Sequence, residues 1–188
     1  MSAHLPAGTI LAASPEMLDP NFMHSVVQLC EHDEHGAFGL LLNRSSDMTV
    51  DQLVPDHPQL GGMGLTVQEG GPVGRDRLQF LHRIPSIVPG GIQVIETLHM
   101  GGELDELGAH LRKHGTSSHE VRMFLGYSGW GAGQLESEME QGAWLAAPPD
   151  DHWAFETGSR ESLWRAVLRE IGPGAEGLGH LPPDVSWN

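Results

Sequence analysis

The stretch GYSGWGAGQLESEMEQGAW, residues 126–144, places four glycines within eight residues, directly before a segment with a helical pattern. A glycine-rich turn that opens onto a helix is a common phosphate-binding arrangement. The spacing here is G-x-x-G-x-G-x-G, which matches neither the dinucleotide nor the P-loop pattern, and the stretch contains no basic residue. Glu136, Glu138 and Glu140 follow at once and would repel a phosphate. We therefore predict a structural corner, with a loop that lines some other ligand as the alternative.

The predicted corner joins a strand to a helix. Val121–Leu125 has the aliphatic character of a strand that ends where the glycines begin. The helix is expected over Gln134–Gln141, with Gly142 at the position where a glycine commonly ends a helix. Glycine permits a positive φ and a close approach between backbones. The residues expected to form the corner are Gly126, Gly129, Gly131 and Gly133.

The segments around this corner indicate the fold class. Short strand patterns separated by glycine- and proline-rich turns dominate the first half of the chain. The clearest helical patterns, Glu103–Lys113 and Ser159–Ile171, come later and separately. Strands that arrive in pairs, followed by separate helices, are typical of an α+β protein and not of a doubly wound α/β sheet. We therefore predict the α+β class.

Length and composition indicate one protein domain without a membrane segment. A chain of 188 residues fits a single domain, which we expect over residues 1–172, with a Gly/Pro-rich tail over 173–188. No apolar run is long enough to span a bilayer. A signal peptide begins with a positively charged region, but no Lys or Arg precedes Arg44. The single cysteine, Cys30, fits a reducing compartment. We expect a cytoplasmic protein with no membrane partner.

The net charge of −15 disfavours direct binding to nucleic acid. Proteins that bind DNA or RNA usually carry a stripe of Lys and Arg, which releases counterions from the phosphates. The densest basic group here is Arg75, Arg77 and Arg83, which is a thin footprint. We therefore place a direct DNA-binding regulator behind the other interpretations.

Four sequence blocks, in order, resemble the YqgE/AlgH family of bacterial proteins. The segment GYSGWGAGQLESEM is similar to the family's GYAGWGPGQLE block, and the others are GTILAASPEMLDPNFM, VVQLCEHDEHGAFGLLLNR and GGPVGRDRLQFLH. The resemblance spans residues 8–172. It implies a mixed, strongly bent β-sheet that forms a partial barrel with helices packed on it. Some members carry the label of transcriptional regulator. Ser45, Ser128 and Ala132 depart from the family pattern, and none of them removes a reactive group.

Cys30 and His32 are the candidate catalytic residues. Residues two apart on a strand point to the same face, so the imidazole would lie near the thiol and favour the nucleophilic thiolate. The alternative is a half-buried structural cysteine beside a turn histidine. The run Cys30–His35 also holds zinc-type ligands, but its spacing matches no established pattern and no partner motif follows, so we predict no metal and no cofactor.

A second set of residues is a candidate for ligand or partner binding. Asn43 and His82 each end a predicted strand, and both would line a shared cleft with Tyr127 and Trp130. Gln134, at the start of the predicted helix, completes the set. The alternative for His82 is a histidine hydrogen-bonded at a sheet edge.

The sequence best fits a non-catalytic binding or regulatory domain that acts on transcription indirectly, through a protein or small-molecule partner. The first alternative is a thiol-based enzyme or redox sensor that uses Cys30 with His32. The second is a direct DNA-binding regulator.

Overall fold

The computed structural model describes residues 4–116 and 119–172 of the chain. The predicted tail, 173–188, lies outside this range. The strands are β1 (Ile10–Ala13), β2 (Val26–Asp33), β3 (Gly36–Leu41), β4 (Ser45–Thr49), β5 (Thr66–Glu69), β6 (Val73–His82), β7 (Ile92–Ile95), β8 (Leu98–Met100), β9 (Val121–Gly131) and β10 (Trp144–Ala147). The helices are α1 (Val50–Leu53), α2 (Leu104–His114), α3 (Gln134–Glu140), α4 (His152–Phe155) and α5 (Arg160–Ile171).

All these strands belong to one mixed sheet. Its main path is β10-β1-β2-β3-β9-β6-β8-β7, and β5 links β4 to β9 beside that path. The pairing of β5 with β9 is parallel, whereas the other pairs are antiparallel. The sheet is bent strongly enough that Ile95 of β7 touches Gly8, just before β1, yet it is not closed into a barrel. The predicted α+β class with a mixed, bent sheet is confirmed.

The two halves of the sheet meet on β9, which bends at Gly126. Residues 121–125 of β9 pair with β5 and β6, Tyr127 pairs with Val73 at the start of β6, and residues 128–131 pair with β3. Gly126 has φ 71°. A Cβ there would lie 2.6 Å from the carbonyl oxygen of Gly71 and 2.8 Å from that of Val73. A Cβ on Gly71 would in turn lie 2.1 Å from the carbonyl group of Tyr127. Backbones therefore touch at this junction, and only glycine fits.

The predicted end of this strand at Leu125 is wrong, because β9 continues to Gly131. Gly129 lies within the strand, and of the four glycines only Gly126 and Gly133 have a positive φ. The single predicted corner is thus two separate features. One is a bend inside a strand, and the other is a turn from that strand into α3.

Three clusters of buried side chains hold the helices to the sheet. One packs α4 and α5 against β1, β2 and β9, the second packs α2 against β6 and β9, and the third packs α3 against β1, β2 and β10. Helix α5 is fixed further by Trp164, whose indole N–H donates to the carbonyl of Ala13 at 2.7 Å. Ser159 caps the start of α5 by accepting from the backbone N–H of Ser162. The helix thereby holds its first residue, Arg160, beside β9 and the β3–β4 connection.

The sequence pattern missed three short elements, β4, β8 and α4. The β4 sequence, SSDMT, lacks an alternating apolar pattern, and β8 and α4 have only three and four residues. Each depends on tertiary packing more than on local propensity. In the part of the chain that the structure describes, no helix has the length and apolar character needed to cross a bilayer.

Candidate anion-binding cleft

Strand β2 carries both candidate catalytic residues, but a β-bulge separates them. The pairing with β3 shifts between Leu29 and Glu31. Cys30 packs in the cluster beneath α5, whereas His32, beyond the bulge, faces α3 and lies against Glu136. The prediction that Cys30 and His32 share a face is wrong, because the extra residue of a bulge reverses the alternation of side chains.

The Cys30 thiol lies in a strongly apolar environment. The residue is 2% exposed, and Sγ is 3.6 Å from the carbonyl oxygen of Gln28, to which it donates. Burial raises the pKa of this thiol, and the negative charge of Glu31 raises it further. The protonated, unreactive form is therefore favoured.

His32 helps to fix α3 to β2. Its Nε2 lies 3.1 Å from Oε1 of Glu136, and Nδ1 of His4 lies 3.3 Å from the same oxygen. The backbone N–H of Leu5 donates to Nδ1 of His32 at 2.9 Å, so the ring carries its proton on Nε2. Three ligand atoms thus lie within 4.8 Å of one another. They do not fit a metal ion as they stand, because a neutral histidine bound through Nε2 would need its proton on Nδ1, where a donor already points.

Glu136→Gln is expected to make stability less dependent on pH. The pKa of Glu136 is lowered chiefly by a hydrogen bond from its own backbone N–H; burial opposes this, and the neighbouring imidazoles of His32 and His4 lower the pKa further. A lowered folded pKa contributes stability above the ordinary value of 4.5, and that stability is lost as pH falls through the folded pKa. In urea unfolding, the wild type should therefore have a higher free energy of unfolding than the variant at pH 6, and this difference should shrink below about pH 4.5.

The control for this prediction is Glu34→Gln, since that side chain is 81% exposed. Glu34→Gln should leave the pH dependence of the free energy of unfolding as it is in the wild type. A wild-type advantage over Glu136→Gln that stays constant down to pH 3 would show that the effect comes from packing and not from charge.

Asn43 lies in a cleft and holds three segments together. Its Oδ1 accepts from the backbone N–H of Val26 at 2.9 Å, and its Nδ2 donates to the carbonyls of His24 at 2.8 Å and Arg160 at 2.7 Å. His24 itself has φ 55°, a strained value for a residue other than glycine. Asn43 therefore joins the start of β2 to the start of α5.

His82 lies away from this cleft. Its side chain is fully buried, and its Nε2–H donates to the carbonyl of Gly101 at 2.9 Å while Nδ1 accepts from the backbone N–H of Ile84. Burial lowers its pKa, which the hydrogen bond to Gly101 partly offsets, so the neutral ring is favoured. The alternative placed His82 at a sheet edge, but β6 lies between β8 and β9, inside the sheet.

The remaining candidates lie elsewhere on the sheet and around α3. Tyr127 stacks on Phe38 with the ring centroids 4.7 Å apart. Trp130 is 6% exposed, and its indole N–H donates to Glu138. Gln134 is exposed and accepts from the backbone N–H at the end of β9. The structure does not bring these side chains into one cleft with Asn43 and His82.

The cleft that contains Asn43 has a volume of about 410 Å³ and opens between the β3–β4 connection, β9 and the loop that joins α4 to α5. Three of the ten basic residues of this acidic chain, Arg44, Arg122 and Arg160, line it. Among the described residues that line it, the one acid is Glu156. We call this site the arginine cleft.

Arg122 is partly buried and has no acidic partner among the described residues. Its guanidinium donates to three backbone carbonyls, those of Leu42, Ala154 and Glu156. No carboxylate of the described residues lies within ion-pairing distance, whereas Arg83 pairs with Asp151 at 2.8 Å. Burial lowers the pKa of Arg122 to about 10, so it remains charged at neutral pH. A desolvated cation without an anion is costly unless something else compensates it.

Arg160 and Arg44 repel one another across the same cleft. Burial lowers the pKa of Arg160, and the positive charge of Arg44 lowers it further, against the opposing effect of Glu69. Arg44 itself reaches Glu69 only at 3.7 Å. The guanidinium of Arg160 donates to the carbonyl of Met23, and that of Arg44 donates to the carbonyl of Pro20 at 3.0 Å. An anion between them would relieve the repulsion.

Sequence reasoning missed this cleft because its arginines are far apart in the chain. The densest group of basic residues in the sequence lies outside the cleft. Of its three arginines, Arg75 and Arg77 are exposed, and Arg83 forms an ion pair with Asp151. The one available signal was the scarcity of basic residues, which makes the position of each one informative.

Known proteins match the whole described fold. The family model described as AlgH-like matches residues 10–176. A UPF0301 protein of Chlorobium luteolum is 36% identical over 168 residues, 89% of this chain and 87% of that protein. One of Cytophaga hutchinsonii is 35% identical and covers 98% of this chain and 100% of its own length. The solution structure of the AlgH protein from Pseudomonas aeruginosa has a TM-score of 0.72 and 30% identity, covering 98% of this chain and 99% of that chain. The resemblance that the four sequence blocks indicated is confirmed.

Proposed function

The chain belongs to the AlgH-like family, and within that family we propose that it is a non-catalytic binding protein whose ligand is a small anion held in the arginine cleft. The observation that carries the proposal is the pair Arg122 and Arg160, partly buried cations that form no ion pair with a carboxylate of the described residues. The chain has 25 acidic residues, so internal partners are abundant elsewhere. Unpaired guanidinium groups beside an open cavity are suited to bind a carboxylate or a phosphate.

The thiol alternative has little support. A Cys-based enzyme or redox sensor needs a thiolate next to a base or a cation. Cys30 is buried with a raised pKa, and His32 lies across the sheet from it. A binding role therefore accounts for more of the structure than a covalent one.

Direct binding to DNA also fits poorly. The three arginines of the cleft surround a concave pocket instead of tracking a backbone of phosphates, and the chain as a whole is acidic. Any action on transcription would then be indirect, through the bound ligand or through a protein that recognises the occupied state.

The test is an NMR titration of the protein with inorganic phosphate and with acetate, the simplest oxyanions of the two classes. We expect the Nε–H resonances of Arg44, Arg122 and Arg160 to shift with one common dissociation constant of about 1 mM or tighter, roughly −4 kcal/mol. Removing one charged hydrogen bond costs about 1.5–3 kcal/mol, so Arg160→Gln and Arg44→Gln should each weaken binding about tenfold or more.

The matched control is Arg75→Gln, which removes an exposed arginine outside the cleft and should leave the affinity unchanged. Chloride at equal ionic strength controls for screening. The hydrogen bond of Arg44 is exposed, whereas those of Arg122 and Arg160 are part-buried, so Arg44→Gln keeps the test valid if Arg160→Gln does not fold. Equal weakening by Arg75→Gln, or no shift of the three resonances with either anion, would refute the proposal.

A further inference from the structure

We infer that the ligand of the arginine cleft is an amphipathic anion, with a carboxylate or phosphate attached to an apolar group. This inference rests on the proposed function and names the chemical class of its ligand. It is carried by a second cavity, about 290 Å³ in volume, that adjoins the first. Gln68, Arg122 and Thr157 line both cavities, so one molecule can occupy the two.

The second cavity differs from the first in chemistry. Its walls include four apolar side chains, Leu65, Leu111, Val121 and Met123. They belong to the cluster that packs α2 on the sheet, so the cavity exposes an edge of that core. Among the described residues that line it, Arg122 is the one charged group. Apolar walls of this kind favour an apolar group over a second charge.

The strand geometry explains why β9 contributes apolar side chains to one cavity and a charged side chain to the other. Val121, Arg122 and Met123 are consecutive on β9, so their side chains alternate between the two faces of the sheet. Val121 and Met123 belong to the cluster under α2, and Arg122 points to the other face, toward α4. The neighbouring strand β5 begins at Thr66, and its Gln68 lines both cavities.

The size of the cleft also exceeds that of an inorganic ion. A cavity of about 410 Å³ lies in the range of pockets for small organic molecules, roughly 300–1,000 Å³. Phosphate alone would fill a small part of it. A ligand that places its anion among the arginines and its apolar group against Leu65 and Met123 uses both cavities.

The experiment compares phenyl phosphate with inorganic phosphate, and phenylacetate with acetate, by calorimetry and NMR on the full chain. We expect each phenyl compound to bind about tenfold to a hundredfold tighter than its parent ion, because a buried ring removes apolar surface from water. Intermolecular NOEs should join the ring protons to the methyl groups of Leu65, Leu111, Val121 and Met123. The relative affinity of the two pairs then tells whether phosphate or carboxylate is preferred.

Leu65→Asn should remove most of the increase in affinity that the phenyl ring gives, and should leave the affinity for inorganic phosphate unchanged. Ile92→Asn, at an apolar side chain that is 49% exposed and lies outside both cavities, is the matched control and should retain the gain. The NOEs need no substitution, so the test stands if Leu65→Asn fails to fold. A gain below about twofold, with phosphate still bound by the arginines, would overturn this inference alone. Phenol that binds as tightly as phenyl phosphate would overturn it as well, and failure of every anion would overturn the proposed function.

Discussion

Gly126→Ala is expected to lower the free energy of unfolding by about 3 kcal/mol. Gly126 has φ 71°, and a side chain in that left-handed region costs about 1–2 kcal/mol. The added methyl would also lie 2.6 Å from the carbonyl oxygen of Gly71 and 2.8 Å from that of Val73. Backbone carbonyls cannot move away as the end of a flexible side chain can, so the strands would have to separate. This separation would cost about 1–3 kcal/mol in addition. Urea unfolding of the wild type and the variant measures the difference.

Gly133→Ala is the matched control on the same segment. Gly133 has φ 73°, nearly the value at Gly126, but a Cβ there would meet no atom within 4 Å. Only the conformational cost remains, so the expected loss is about 1 kcal/mol. The difference between the two variants isolates the close approach of β9 to the Gly70–Gly71 turn. Equal losses in the two variants would show that this approach contributes nothing to stability.

The behaviour of β9 shows what a local pattern can and cannot predict. A strand starting at Val121 was readable from its aliphatic residues, but the strand was expected to stop at the first glycine. Glycine weakens a strand locally, so this is the ordinary expectation. The strand continues because the turn at Gly70 and Gly71, distant in sequence, packs its backbone against Gly126. Gly126 is required because of the turn at Gly70 and Gly71, and the sequence around Gly126 carries no information about that distant segment.

The bulge in β2 has the same character. Alternation predicts that Cys30 and His32 share a face, and a single extra residue opposite β3 reverses that prediction. The sequence of residues 26–33 does not predict the bulge, because the bulge arises from the way β3 pairs with β2. A sequence-based catalytic pair on a strand is therefore only as reliable as the assumed register.

The arginine cleft was beyond sequence reasoning for a further reason. Arg44 follows β3, Arg122 lies on β9 and Arg160 begins α5, so only the folded sheet brings them together. The fold class was accessible because strand and helix patterns are local, and the family blocks supported it. The site was not, because its defining property is that Arg122 and Arg160 form no ion pair with any described carboxylate, and pairing of charges is a property of tertiary structure.

Cys30 is expected to react with iodoacetamide at least about a thousandfold more slowly in the folded protein than in urea, because modification would have to wait for opening of the core. The thiol is 2% exposed, and burial raises its pKa. Raising the pH should speed the reaction of the folded protein only in parallel with that in urea, because the thiol that reacts is the one in the opened state, which has its ordinary pKa. The measurement follows alkylation by mass spectrometry from pH 5 to 10, with Cys30→Ser as the blank.

His32→Ala separates the binding and thiol hypotheses most sharply. Because the bulge puts His32 on the other face of the sheet, against Glu136, its removal should leave the pKa of Cys30 unchanged. Any rise in alkylation rate should match the loss of stability measured by urea unfolding, since the variant also loses a contact of α3. A thiol that reacts quickly in the wild type, with a pKa below its ordinary value of about 8.5 that rises on His32→Ala, would instead show an activated nucleophile. The proposal of a non-catalytic binding protein would then be wrong.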